Sequence, residues 1–85
     1  MIYSIENNQI KAQVDTKGAQ LMSLYSKKTE TEYLWQGDPA YWTGRAYNLF
    51  PVIGRTYGGT YFYHGREYEI GIHGFARSTE FSLET

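Results

Sequence analysis

All four arginines and both histidines of this chain fall between Trp42 and Arg77. Within that stretch, Ile72-His73-Gly74-Phe75-Ala76-Arg77 sets an imidazole before a glycine and a fixed cation four residues on. A second segment, Asn48-Leu49-Phe50-Pro51-Val52-Ile53-Gly54-Arg55, ends an apolar run at a Gly-Arg pair. An imidazole offers one donor and one acceptor, and a guanidinium offers a planar fork of donors; both suit hydroxyls, and the fork also suits phosphate. Loops that follow apolar runs and carry such groups are where binding residues concentrate. Proton transfer is harder to assemble from this set. Arginine stays protonated, and one histidine cannot be acid and base to different oxygens of one ring at the same moment. Glu67 and Glu69 suggest a two-carboxylate site, but both fall on the outward face of a strand whose other face carries Tyr68 and Ile70. Gly54 to Gly59 lacks the Gly-Lys-Ser/Thr ending and the following helix of a phosphate loop.

These residues need a scaffold, and the alternation of the chain points to strands. Ile2 to Ile5 is β-rich, Glu6-Asn7-Asn8 is a turn, and Gln9 to Val14 puts Ile10, Ala12 and Val14 on one face. After a turn at Asp15 to Gly18, Ala19 to Tyr25 reads as a third strand. Ser26 to Glu30 is a polar loop, and Thr31 to Trp35 a fourth strand. Asp38 and Pro39 form the cap and first position of a short helix. Leu49 to Ile53 contains Pro51, which forbids a central ladder position, so an irregular or edge segment over the core is expected. Gly58-Gly59 turns the chain. Thr60 to Tyr63 and Arg66 to Ile70 flank His64-Gly65, which can supply the positive φ angles of a two-residue hairpin turn. Glu80 to Leu83 starts one more strand. Six or seven short strands with regular turns predict an all-β sandwich or barrel.

Composition excludes several classes. The 85 residues carry a net charge of -1, which gives no drive toward nucleic acid or acidic membranes. There is no cysteine, hence no disulfide, thiolate catalysis or Cys-zinc site, and no run nears the ~20 apolar residues of a membrane span. The N-terminus has no signal-peptide pattern, so a cytoplasmic location is expected. Aromatics make up 18% and nine are Tyr, which suits carbohydrate- or protein-facing surfaces. A chain this short has only a modest core. The expectation is the N-terminal portion, residues 1–85, of a single larger β-sandwich, self-associating in isolation through an unpaired strand edge after Phe81-Ser82-Leu83.

Tyr33 to Pro39, Trp42, Asn48 to Arg55, His64 to Tyr68 and Ile72 to Arg77 together resemble, in order and spacing, the start of an aldose 1-epimerase (mutarotase), most closely the LacX-like branch. The resemblance covers nearly the whole chain. It implies a galactose mutarotase-like antiparallel β-supersandwich with a sugar on one concave face, and interconversion of α and β anomers of a free or phosphorylated hexose. It implies no metal or organic cofactor. In the family the general acid is a His and the base a Glu, both beyond residue 85, so no catalytic residue is assigned here. Arg55 matches the Arg of an Asn-Arg pair that binds sugar hydroxyls, with Gly54 replacing the Asn. His73 matches a substrate contact. Arg77 resembles the last Arg of a hexose-phosphate branch, and Arg45 lies near another basic position of that branch.

Each assignment has a plainer alternative. His73 could be a loop imidazole bonded to backbone, and Arg55 and Arg77 could pair with Glu67, Glu69 or Glu80 at the surface. Arg45 and Arg66 fit the plainer reading, and His64, in a hairpin turn, is expected to be exposed. Phe75 is the one aromatic expected to wall the site. The alternative functions are a non-catalytic carbohydrate-binding β-sandwich and a small structural module with a Tyr-rich face.

Overall fold

Asn7 starts the first hairpin. Its Oδ1 accepts the backbone N–H groups of Gln9 (2.8 Å) and Ile10 (2.9 Å), so a side chain fixes the turn as expected for Asn. The computed structural model describes residues 1–84. The hairpin pairs β1 (Ile2–Glu6) with β2 (Ile10–Asp15), placing Tyr3 opposite Val14 and Ile5 opposite Ala12. β3 (Gln20–Ser26) adds antiparallel to β2, and β4 (Thr31–Glu32) closes the order β1-β2-β3-β4. A second sheet is the hairpin of β5 (Thr60–Tyr63) and β6 (Arg66–Glu69). His64 and Gly65 at its tip have φ of 51 and 75, as the sequence predicts. The all-β, antiparallel reading holds.

Between Gln13 and Val14 the register shifts: Gln13 faces Ser23, but Val14 faces Leu21, leaving Met22 as an extra residue on β3. A bulge leaves its extra residue outside the ladder. Here side chains take the Met22 carbonyl: Arg45 Nη1 donates at 2.8 Å and Gln36 Nε2 at 3.1 Å. The Gln20 Oε1 accepts from the backbone of Arg45 (3.0 Å) and Ala46 (3.1 Å), and Asn48 Nδ2 donates to the carbonyls of Gly18 and Ala19. Residues 45–48 are thus stitched along β3 with only one bridge, Leu21 to Ala46.

Three expected elements are shorter than the sequence suggests. β4 stops at Glu32 rather than Trp35. The Glu32 carboxylate accepts the N–H groups of Leu24 and Leu34 (2.9 Å each) and the Ser23 hydroxyl, taking the Leu24 N–H that a continued ladder would give to the Tyr33 carbonyl. Residues 39–41 form a turn rather than a helix. Asp38 Oδ1 does cap Ala40 N–H at 2.9 Å, but Trp35 Nε1 takes the Trp42 carbonyl at 2.7 Å, and Thr43-Gly44 are poor helix formers. Glu80 makes a single bridge to Lys17 and no strand follows, because the chain opposite is the 16–18 turn.

The β1–β3 sheet is amphipathic. One face carries Tyr3, Ile5, Ile10, Ala12, Val14, Leu21 and Leu24 with Ser26 at its edge, and the other Ser4, Glu6, Lys11, Gln13 and Ser23 with Ile2 and Tyr25 among them. Phe81 and Leu83 join the apolar face around a cleft of about 260 Å³. Little covers it: Ile5 is 74% exposed and Ile10 48%, and among the described residues Ala76 alone forms a buried hydrophobic core. The structure is a plate of 53 × 36 × 17 Å with a radius of gyration of 16.5 Å, against about 12 Å for a compact domain of this length. The segment 49–53 therefore lies over no core; Phe50 and Ile53 are exposed.

Two outcomes are expected. Residues 1–85 alone should self-associate through this apolar face, not through a strand edge at 81–83; sedimentation should show oligomers that Ile5→Lys reduces. The bond from Ser23, joined by the backbone donors, holds the Glu32 carboxyl below its usual range despite opposition from burial. Because the folded state prefers the charged form, the stability Glu32 contributes is full above the ordinary carboxylate range, near 4.5, and is lost as pH falls through and below it. Denaturation midpoints should fall with acid less steeply in Glu32→Gln, which should also be the weaker protein at neutral pH.

Candidate functional site

Residues 50–54 and 71–76 carry little regular structure of their own, so their placement depends on the bonds between them. The Phe50 carbonyl accepts the N–H groups of Phe75 (2.9 Å) and Ala76 (3.3 Å). Phe50 and Gly74 form a bridge, and the Phe50 and Phe75 rings meet edge to face at 6.2 Å. Gly74 has φ 71, and a Cβ there would collide with the Phe50 carbonyl. Only glycine satisfies both the backbone angle and the approach.

At the far end of this clasp, Gly54 and His73 bond reciprocally. The His73 N–H donates to the Gly54 carbonyl at 2.8 Å, and the Gly54 N–H donates to His73 Nδ1 at 2.8 Å. His73 is half-buried with φ 61, a conformation uncommon for a side-chain-bearing residue. Gly54 has φ 82, yet open space where a Cβ would sit; there the backbone angle, not crowding, selects glycine.

Arg55, exposed, follows directly on this pair. No carboxylate neutralises it: among the described residues the ion pairs are Met1–Asp15 and Lys27–Glu6. Glu67 and Glu69 are exposed on the hairpin, opposite the face where Tyr61 and Tyr68 stack at 5.3 Å. Glu80 accepts the Thr16 hydroxyl.

The four arginine and histidine positions singled out in the sequence do not converge on one point. Arg55 and His73 are brought together through Gly54. Arg77, in the 3-10 turn Ala76–Ser78, lies 5.8 Å from the Tyr47 ring centroid and lines a cleft of about 280 Å³ with Asp15, Lys17, Gln20, Tyr47 and Ser78. Neither Arg55 nor His73 lines that cleft. The Lys17 N–H holds the Asp15 carboxyl there below its usual range, opposed by burial and aided by the terminal ammonium. Arg45 stands behind β3, its Nη1 on the Met22 carbonyl and on Gln36 Oε1 at 3.2 Å. His64 is exposed at the hairpin tip as expected, and Phe75 is 54% exposed beside His73.

Two residues carry no sequence signal. Tyr47 forms the aromatic platform for Arg77, a contact across 30 positions. Thr56, beside Arg55, buries its hydroxyl without a hydrogen-bond partner among the described residues. Arg55 and His73 thus belong to one clasp and Arg77 to a separate cleft, and among the described residues Glu80 is committed to Thr16 rather than to either.

The sequence profile described as Aldose 1-epimerase matches residues 1–85. The chain is 40% identical to protein LacX (chromosomal) and 39% to protein LacX (plasmid), both of Lactococcus lactis subsp. lactis, over 89 aligned positions. Each alignment covers 99% of this chain and 29% of the relative, so the chain spans under a third of their length. Among solved structures, a galactose mutarotase-like protein from Lactobacillus casei superposes with a TM-score of 0.92 at 37% identity, covering 99% of this chain and 29% of that one. A galactose mutarotase related enzyme from Lactobacillus acidophilus gives 0.90 at 42%, covering 100% and 28%.

Denaturation should separate the two glycines. Gly54→Ala should cost about 1–2 kcal/mol, the strain of a left-handed residue. Gly74→Ala should cost more, since it adds a backbone collision to the same strain.

Proposed function

The chain belongs to the aldose 1-epimerase family, and from that premise we propose that residues 1–85 are the sugar-holding N-terminal portion of a larger β-sandwich isomerase that interconverts the α and β anomers of a hexose. The observation that carries this reading is the reciprocal Gly54–His73 pair, which fixes the imidazole against the residue preceding Arg55, an arginine without an ion pair among the described residues. Arg55 and His73 hold sugar hydroxyls, and Arg77, over Tyr47, contributes at the rim, where a phosphorylated hexose would find its cation. Arg45 supports the site from behind by holding the β3 bulge. The open apolar face of the β1–β3 sheet is where the rest of the sandwich packs.

The reaction needs a base for the anomeric hydroxyl and an acid for the ring oxygen, with pKa values pushed apart. Glu67 and Glu69 lie on a solvent-facing hairpin, and the arginines cannot give up a proton. We therefore assign the acid and base to residues outside 1–85. A cytoplasmic location fits a chain in which no helix among the described residues is long and apolar enough to cross a membrane.

The test is the optical-rotation change of freshly dissolved α-glucose and α-galactose. The protein as its gene encodes it should accelerate the change, with a pH profile set by two groups outside residues 1–85, and residues 1–85 alone should not exceed the buffer rate. In the whole protein, Arg55→Ala and His73→Ala should each weaken aldose binding by ~1–3 kcal/mol, since each leaves polar partners unpaired, while His64→Ala should leave it unchanged. Sugar binding without any rate enhancement by the whole protein would favour a non-catalytic carbohydrate-binding module. Acceleration by residues 1–85, abolished by His73→Ala, would overturn the assignment of the acid and base.

A further inference from the structure

We infer that the Gly54 backbone sets the tautomer of His73, so that the imidazole meets a sugar oxygen as a hydrogen-bond donor through Nε2; the ligand half of this inference rests on the sugar-binding reading above. The Nδ1 lone pair is already used, accepting the Gly54 N–H at 2.8 Å. An imidazole nitrogen that accepts a hydrogen bond carries no proton, so the ring proton sits on the other nitrogen. The ring has little freedom to exchange the two. The same pair of residues is joined a second time, from the His73 N–H to the Gly54 carbonyl at 2.8 Å, and Phe75 and Ala76 tie the loop to Phe50 two residues on. Nε2 has no protein partner among the described residues and is not sealed from solvent. It is the ring's one remaining polar atom, and it can only give.

Gly54 is then a positioning residue: it touches no ligand, but its N–H decides what His73 can recognise. A donor at this point selects an acceptor oxygen, either a ring oxygen or a hydroxyl oxygen whose own proton is directed elsewhere. It does not require the ligand atom to carry a hydrogen. The neighbouring Arg55 is likewise a donor only, so the Arg55–His73 end of the clasp reads lone pairs. Sequence alone left the two faces of the imidazole equivalent.

The experiment uses the whole protein with 15N-labelled histidine, the His73 ring being identified by the signals lost in His73→Gln. Nitrogen NMR should show a proton on Nε2, a bare Nδ1, and coupling across the bond from the Gly54 nitrogen. A proton on Nδ1, or a ring averaging between tautomers, would overturn the inference. Gly54→Asn keeps the N–H and tolerates positive φ, so it should preserve the His73 signature. The second arm measures aldose binding with deoxy and deoxyfluoro analogues at the position whose loss is silent in His73→Ala. Fluorine accepts weakly and never donates. The deoxy analogue should bind roughly 5- to 10-fold less tightly, the cost of one neutral hydrogen bond, and the fluoro analogue should recover part of that. A fluoro analogue no better than the deoxy one would overturn the donor role. The Nε2–H signature in a protein that binds no aldose would keep the tautomer and overturn the sugar reading instead.

Discussion

One carbonyl, that of Phe50, fixes the relation between the two segments that carry the candidate site. It accepts two backbone donors from the 71–78 loop, and that loop has no strand or long helix to hold it otherwise. The approach is close enough that residue 74 must lack a Cβ. Everything else at the site follows from this contact. With the clasp closed, Gly54 and His73 exchange two hydrogen bonds, Arg55 follows directly on that pair, and the 3-10 turn sets Arg77 over Tyr47.

The same preference for local polar closure recurs along β3. Its edge is completed by side chains rather than by a neighbouring strand: Glu32 takes two backbone donors, Gln20 takes two more, and Asn48 and Arg45 cap carbonyls. Such side-chain bonds compete with ladders wherever a carboxylate or amide can reach them. That competition is why β4 is two residues long, and why Arg45, one of four arginines in a site-like stretch, is committed to a bulge.

The hydrophobic terms act in the opposite sense. A sheet with a cleanly apolar face is stabilised only when that face is removed from water. Here it stays open, with Ile5 and Leu83 more than half exposed and Ile10 nearly so, and polar closure rather than burial gives the 1–84 plate its definition. This chain covers under a third of the length of the mutarotase-like structures it superposes on.

Much of this was written in the sequence. The alternation of Ile10, Ala12 and Val14 sets β2 and its apolar face, because a period of two admits one orientation once a face is apolar. Asn7 and His64-Gly65 set their turns through local bonding and backbone angle, and the motif set 33–77 is enough to place the chain in its family. These are properties of neighbours in the chain, and local chemistry decides them. The tertiary structure decided the rest: that Thr31–Trp35 yields its edge to a glutamate side chain, that Glu80–Leu83 forms no strand, that Arg45 and Arg77 part company with Arg55, and that His73 turns Nδ1 toward Gly54. Each of these depends on which distant group reaches a given donor or acceptor first. Residue type gives the capacity to hydrogen-bond, but the partner is set by distance in space, and no spacing along the chain encodes that distance.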